Sequence, residues 1–528
     1  MGLSAKRGGA VSLSPLRGFC LVGFFVSGLA AFGFLDDVRQ NSGFQWSFLG
    51  AVVLLFAWSG TVFALARHTG RTLTLKVILR KQHYVQASAQ VVFLLYWGWY
   101  WRPVYDSAFL IVAQLVFAYA FDMLLCWSRR DTYVLGFGPF PVILSINLFL
   151  WFVDDWFFLQ FSLIALGFAA KELIQWNKQG QQVHIFNPSS FPLAVFSLAL
   201  ILTGTSDLTW GQDIAITQFF PPHVYLVLFL VGLPGQYLFG VASMTMSAVI
   251  ATYAFGLLYF AATGVYFFYD SYIPVAVFLG MHLLFTDPST APRSEVARIL
   301  FGVLYGLSTV ALYALLGYVG VPTFYDKLLF VPVLNLSVQL LDRLTLARWL
   351  RQFERVAFCR LRSQPQRNLA YIAVWAAVFS VMSVVQGVGD RHPGQWVPFW
   401  QEACSQGRTY ACSYLADMQE RYCRSGSGWA CNEAGILHVA LVRSGKDRRR
   451  LDVADAAGTL GRGCDLGFGP ACRNVARLAS GLNSFEHGQP TLQDYPIILR
   501  GTKGPIKDRS PEALYARACN QGWNNACR

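Results

Sequence analysis

Thirteen stretches of this 528-residue chain are so apolar that water is the wrong solvent for them. They lie near 18–35, 46–66, 85–101, 105–127, 133–153, 156–175, 189–204, 223–243, 246–268, 272–286, 298–319, 328–341 and 369–389. Crossing the hydrocarbon core of a bilayer takes about 20 mostly apolar residues in helical form. No water is available there to pair backbone groups, so each run is expected to be a helix. The expected fold class is all-α, a polytopic membrane protein of roughly 13 spans. Composition agrees: only 13% of residues are charged, against about 25% in soluble chains. The formal charge of +13 does not call for a nucleic-acid partner, because Arg and Lys collect in the cytoplasmic loops of membrane proteins. The first run has the look of a signal peptide, but no small-residue cleavage site follows it, and it reads as a retained helix. The Met-Gly-Leu-Ser start carries Lys6 where a myristoylation motif has Ser or Thr, so no lipid is expected there.

Basic residues set the orientation. Lys6, Arg7 and Arg17 precede the first run; Arg67, Arg71, Lys76, Arg80 and Lys81 follow the second; Arg129 and Arg130 follow the fourth. Lys171 and Lys178, Arg293 and Arg298, and seven arginines within 342–368 continue the series on even-numbered loops. Odd-numbered loops are short and mostly acidic or neutral, with Arg39, Arg102 and Lys327 as single exceptions. This alternation predicts a cytoplasmic N-terminus and, after an odd number of spans, a C-terminus outside. The segment 343–362 interleaves Trp349, Leu350, Phe353, Val356 and Phe358 with arginines. It reads either as a basic helix lying on anionic lipid or as an ordinary basic loop.

After Gly389 the long apolar runs stop and cysteines gather. Cys404 and Cys412, Cys423 and Cys431, Cys464 and Cys472, and Cys519 and Cys527 form four pairs, each with seven residues between its members. Zinc sites use shorter spacings and recruit His. Disulfides fit better, and they persist in the oxidising compartment to which the charge pattern assigns this tail. Around each pair a helix is expected to close near the first Cys, turn at Gly407, Gly426, Gly467 or Gly522, and reopen at an Ala-Cys step. The pattern resembles the cysteine-rich Sel-type repeats, tetratricopeptide-like αα-hairpins. That resemblance implies disulfides within each pair and a small extracytoplasmic solenoid with a concave binding face. The repeat is irregular, and 481–510 reads as a long loop.

Two motifs carry a second resemblance. Lys171-Glu172-Leu173-Ile174 is followed by His184-Ile185-Phe186-Asn187-Pro188-Ser189. Later come Leu284-Phe285-Thr286-Asp287-Pro288-Ser289-Thr290-Ala291-Pro292 and Arg298-Ile299-Leu300-Phe301-Gly302. Together they resemble the RnfD/NqrB family of membrane proteins, over about residues 85–345, with most similarity to the branch labelled enediyne biosynthesis protein. The resemblance implies a membrane component of a flavin-carrying electron-transport complex, with Asn187, Pro188, Thr286, Asp287 and Arg298 as cofactor-binding candidates. Physically, Asn187 and Asp287 can each cap a helix opened by the following proline, aiming a positive dipole end at an anion or ring carbonyl. The bland alternative is two good helix starts. The family's covalent flavin needs a threonine in an Asp-Gly-x-Ser-x-Ala-Thr-like sequence. Here Asp213-Ile214-Ala215-Ile216-Thr217 lies in the corresponding loop without the Gly and Ser. Thr217 is therefore a weak attachment point, and a non-covalent flavin, FMN or riboflavin, is the expected cofactor.

Asp122 within an apolar run reads as an ion pair with Arg129–Arg130, or as a functional acid. His282 reads as a structural histidine, with proton transfer as the alternative. Trp97, Trp99 and Trp101 read as an interface belt, and Asp326–Lys327 as a helix entry, with an ion site as the alternative. No metal site, Walker loop, HExxH, GxSxG, haem or iron–sulfur pattern is present in the sequence, which leaves soluble-enzyme chemistry without candidate residues. The expected domains are N-terminal membrane helices (1–84), the RnfD-like membrane domain (85–345), a basic segment with the last membrane helix (346–389), and the periplasmic repeat domain (390–528). The expected setting is the bacterial inner membrane, with other membrane proteins of the complex and a periplasmic protein as partners. The alternative function is a scaffold or assembly protein, or with less support a transporter, that keeps the fold without the flavin.

Overall fold

The computed structural model describes residues 6–178, 180–219, 221–268, 271–345, 363–385, 396–408, 411–444, 452–499 and 508–527. Within it, every apolar run holds a helix: α1 Pro15–Phe32, α2 Ser42–His68, α3 Lys81–Tyr100, α4 Ala108–Arg129, α5 Pro139–Asn147, α6 Phe158–Leu173, α7 Ser190–Thr203, α8 Val224–Phe239, α9 Ala242–Thr263, α10 Val275–Leu283, α11 Glu295–Val319, α12 Val331–Leu344 and α13 Gln364–Val385. Among the described residues, seven segments are long and apolar enough to cross a membrane: α1, α2, α4, α9, α11, Thr323–Leu344 (which contains α12) and α13. Of the remaining runs, two hold only nine-residue helices, each set off by proline: Pro139 and Pro141 open α5, and Pro274 precedes α10. The basic segment 346–362 lies outside the described residues.

The all-α expectation needs one correction. Strands β1 Lys6–Leu13, β2 Leu73–Leu79 and β3 Thr132–Leu135 form a sheet, β1 antiparallel and β3 parallel to β2. A hairpin of β4 Gln175–Lys178 and β5 Gln181–His184 follows α6. β1 and β2 lie before or between the apolar runs, where a period of two, as in Leu73-Thr74-Leu75-Lys76, is hidden inside a basic loop, and β3 takes up the start of the run at 133–153.

Inter-loop contacts divide the bundle into two ends. At one, Arg71 pairs with Asp131 (2.5 Å), Arg130 with Glu172 (2.8 Å), and the Ser294 hydroxyl donates to Thr345 (3.0 Å). At the other, Asn41 donates to Asp154 (3.1 Å), Phe152 bridges Thr209, and the Tyr325 hydroxyl donates to Ser206 (3.0 Å). The first set joins loops after even-numbered runs and is the basic end; the second joins loops after odd-numbered runs.

Helices α3–α7 and α8–α12 repeat one order: two helices, a nine-residue half-helix, then two more. Neighbours correspond as well. α3 packs on α5 as α8 does on α10, α4 on α6 as α9 on α11, and α6 on α7 as α11 on α12. Because each unit has five helices, the second runs in the opposite sense to the first. Both half-helices are buried along their length or nearly so. After α5 the chain runs irregularly through Leu148–Phe152, all buried. Buried carbonyls cannot be left bare, and amide side chains cover them. Gln218 donates to Leu148 O (2.6 Å) and Gln160 to Leu150 O (3.4 Å), while Gln160 Oε1 accepts from Phe152 N (3.2 Å).

Helices α9 and α11 approach each other closely. A Cβ at Gly302 would collide with the Met244 carbonyl and Ser247 Oγ, and one at Gly306 would stand 2.5 Å from Ala248 O. This four-residue glycine spacing lets the two backbones meet.

The tail follows the repeat expected from its cysteines. Helices α14 Val397–Ser405, α15 Ala411–Arg424, α16 Gly428–Arg443, α17 Val453–Asp465, α18 Gly469–Ala479 and α19 Pro511–Asn520 alternate with turns. In those turns Gly407, Gly426, Gly467 and Gly522 have φ between 68° and 99°, the left-handed region that glycine adopts without steric cost. All four disulfides close within their pairs. The described part of the long loop is anchored: Asn432 and Asn474 both donate to Glu486 O (3.0 and 2.8 Å), and Trp429 donates to Gly488 O (2.8 Å). The first hairpin docks on the bundle. Arg408 donates to Gly264 O (2.8 Å), the Tyr414 hydroxyl to Phe267 O (2.6 Å), and Phe399 packs on Tyr266.

Gly302→Val and Gly306→Val are each expected to cost about 1–3 kcal/mol or more, since backbone rather than flexible side chain stands in the way. An unchanged thermal midpoint of the detergent-solubilised protein would contradict this packing. In the tail, the Glu433 carboxylate lies 2.6 Å from His487 Nδ1 and raises the imidazole above its ordinary value of 6.5. The linked stability is then full below pH 6.5 and lost as pH rises through the raised value. Thermal unfolding across that range should show the loss, and His487→Ala should flatten it.

Candidate functional site

The two motifs meet at the basic end. Asn187 sits where β5 gives way to α7. Phe191 N donates to Asn187 O (3.0 Å), so Pro188 occupies the first turn, where its missing N–H costs nothing. Asn187 Oδ1 accepts from Ser189 N (2.9 Å), Ser190 N (3.2 Å) and the Ser189 hydroxyl (2.7 Å). Its Nδ2 donates to Leu284 O (3.0 Å), just past α10, and its backbone N–H donates to Asn335 Oδ1 (3.1 Å) of α12. Asn187 therefore does for the break after α10 what Gln218 does for the break after α5.

Asp287 behaves differently from the helix cap expected of it. Its Oδ1 accepts from Ser289 N (2.9 Å) and the Ser289 hydroxyl (2.6 Å), which closes a turn. The helix begins later, at Glu295, capped by Ser294 (3.1 Å to Ala297 N). The sequence Pro288-Ser289-Thr290-Ala291-Pro292 holds two prolines, and the second keeps the chain out of helix. Asp287 Oδ2 lies 3.4 Å from His184 Nε2, which is also 2.8 Å from the Ser289 hydroxyl. Burial pushes the Asp287 carboxyl up, but the hydrogen bonds from His184 and Ser289 outweigh it and hold the group below the usual carboxylate range.

The other candidates go elsewhere. Thr286 is buried and its hydroxyl donates to His282 O (3.0 Å). Arg298 Nη1 donates to Gly240 O (2.9 Å) at the C-terminal end of α8 and to Glu295 (2.8 Å), while its Nε donates to Pro292 O (3.0 Å). A cation at a helix C-terminus complements the dipole, so Arg298 ties α8 to α11. Gly302, four residues on, is the close-contact glycine of α11. Thr217 is buried at the opposite end of the bundle, accepting from Trp97 Nε1 (3.2 Å). Trp97 is buried and stacks on Trp101 (5.0 Å), while Trp99 is exposed; residues two apart face different sides of a helix, so the three do not form one belt. Asp122 pairs with Lys171 (3.5 Å) rather than with Arg129 or Arg130.

A cavity of about 640 Å³ opens at the end opposite the basic one. Three walls come from the bundle: the 211–219 segment through Gln212, Ala215, Ile216 and Phe219, the start of α10 through Val275 and Val277, and the α11–α12 link through Phe324, Asp326 and Lys327. The fourth comes from the tail, through Tyr414, Asp417, Arg421 and Arg424 of α15. Asp326 and Lys327 are both buried and paired at 3.2 Å, and the Lys327 ammonium also donates to Phe324 O. A buried, paired charge beside a cavity of small-molecule size, lined by aromatics such as Phe267 and Tyr313, has the anatomy of a ligand site. The sequence singles out Asp213–Thr217, which folds as a short helix, Gly211–Thr217, and in it Asp326–Lys327 reads as a helix entry rather than an ion site; a helix does start at Asp326. Their only sequence signal was a lysine on an otherwise acidic or neutral loop.

Asn187→Ala removes a cap and uncovers the Leu284 carbonyl; an expected cost of about 1–3 kcal/mol follows. Asn187→Asp keeps the capping oxygen but sets a second oxygen against the Leu284 carbonyl in a buried site, so its thermal midpoint should also fall below that of the unaltered protein.

Compared with protein-family models, curated proteins and solved structures, the chain matches none of them.

Proposed function

We propose that this chain is the membrane component of a flavin-linked electron-transport complex, with the flavin held without a covalent bond in the cavity between bundle and tail. One observation carries the reading: in the loop 203–223, where the resemblance to the RnfD/NqrB family would put the flavin, Gln212, Ala215, Ile216 and Phe219 wall the 640 Å³ cavity. Thr217 is turned away toward Trp97, so the ring is held by packing against Phe219, Phe324 and Tyr313 and by polar groups at the rim. The Asn187 and Asp287 cluster then serves to hold the broken helices rather than to bind the ring. In this reading the chain crosses the bacterial inner membrane thirteen times, with the basic end in the cytoplasm and the disulfide-stapled tail in the periplasm. The exposed part of the tail docks a redox partner.

A second reading has its own support. The motif residues direct their hydrogen bonds to one another and to the backbone, which suits a scaffold that keeps the fold without the cofactor. Purification in mild detergent decides between them. The redox reading expects flavin absorbance in the purified protein, or its return on adding FMN or riboflavin, and loss of both in Ala215→Trp, which fills the cavity. Protein that neither carries nor rebinds flavin sinks it and favours the scaffold.

A further inference from the structure

Deep in the bundle, where α8 crosses the end of α10, three polar side chains face a void that the electron-transport reading does not use. Gln236 of α8 is 1% exposed, and among the described residues neither its Oε1 nor its Nε2 has a hydrogen-bond partner. His282 of α10 is 2% exposed. Its Nδ1 lies 2.7 Å from Phe278 O, and a carbonyl only accepts, so Nδ1 carries the proton and donates. In the neutral ring Nε2 is then a bare lone pair, and it too has no partner among the described residues. Thr286 directs its hydroxyl proton to His282 O (3.0 Å), which leaves its oxygen free to accept. Gln236, His282 and Thr286, with Gln86 of α3, line a cavity of about 10 Å³.

Space is kept open there. A Cβ at Gly232 would stand 3.0 Å from His282 Cδ2 and 3.3 Å from Gln236 Nε2, tighter than ordinary packing. A cavity of about 10–15 Å³ holds roughly one water molecule when two or more polar groups face it, whereas dry cavities are lined by apolar groups. Leaving this many buried donors and acceptors unpaired is among the costlier things a fold can do.

We propose that Gln236, His282 and Thr286 form a buried binding site for a single water molecule. The water accepts from Gln236 Nε2 and donates to His282 Nε2 and Thr286 Oγ1. It joins α8 to α10 next to the Leu284 carbonyl that Asn187 covers, and so supports the break in α10 from its apolar side. It also puts a proton donor against the imidazole at a depth where bulk water does not reach. The inference stands apart from the flavin reading and needs no cofactor.

The sign of two substitutions tests it in the full-length protein. In an occupied site, Gln236→Met or His282→Leu removes a partner of the water and strands the groups that remain, so each lowers the thermal midpoint. The double variant then loses less than the sum of the two. In a dry void, deleting the unpaired Gln236 amide is favourable, so Gln236→Met leaves the midpoint unchanged or raises it, and that result overturns the proposal. If a variant fails to fold, a density map of the unaltered protein at water-resolving resolution decides: a peak within hydrogen-bond distance of His282 Nε2 supports the site, and an empty void overturns it.

Discussion

The architecture turns on how buried backbone is paired where a helix stops inside an apolar bundle. Two half-helices, α5 and α10, end in surroundings without bulk water, and the carbonyls beyond them need donors. Gln218, Gln160 and Asn187 supply these from neighbouring elements, at 2.6, 3.4 and 3.0 Å. Each donor stands on a different part of the chain from the carbonyl it serves, so the breaks, the amides and the helices bearing them are one cooperative unit. Gln218, Gln160 and Asn187 stabilise the irregular backbone, and the irregular backbone shapes the ends of the bundle.

This assigns plain work to residues that a motif search would mark as a cofactor site. Asn187 is a cap and a carbonyl cover. Arg298 closes the C-terminal end of α8. Gly302 lets α9 and α11 touch. Asp287, His184 and Ser289 knit the loop that leads into α11. The cavity lies at the other end, where α15 lies against the loops following α7 and α11. The tail is thereby part of a site that neither it nor the bundle forms alone: Arg408 and Tyr414 hold it to backbone carbonyls of the α9–α10 link, and Arg421 and Arg424 of the same hairpin reach the cavity.

Local regularities of the chain were fully legible. The thirteen apolar runs each contain a helix, because burial in apolar surroundings forces backbone pairing along the same few residues. The four cysteine pairs close as the resemblance to Sel-type repeats implied, a separation of eight residues being enough for a helix end, a left-handed glycine and a helix start to bring two sulfurs together. Strands such as β2 were missed, since a short alternating stretch within a basic loop carries little signal until its partners, β1 and β3, are known. The interface belt expected of Trp97, Trp99 and Trp101 failed for a simple geometric reason: successive odd positions on a helix do not share a face.

What the sequence by itself determined is a membrane-type helical chain with a disulfide-stapled repeat at its end; hydropathy and cysteine spacing are properties of neighbouring residues and need no third dimension. Only the tertiary structure decided that the helices fall into two five-membered units of opposite sense, that His184 meets Asp287 across 103 positions, and that Thr217 is taken up by Trp97 while the loop around it walls a cavity. Those relations join residues far apart in the chain. They exist because packing, not local propensity, chooses which polar group covers which bare carbonyl.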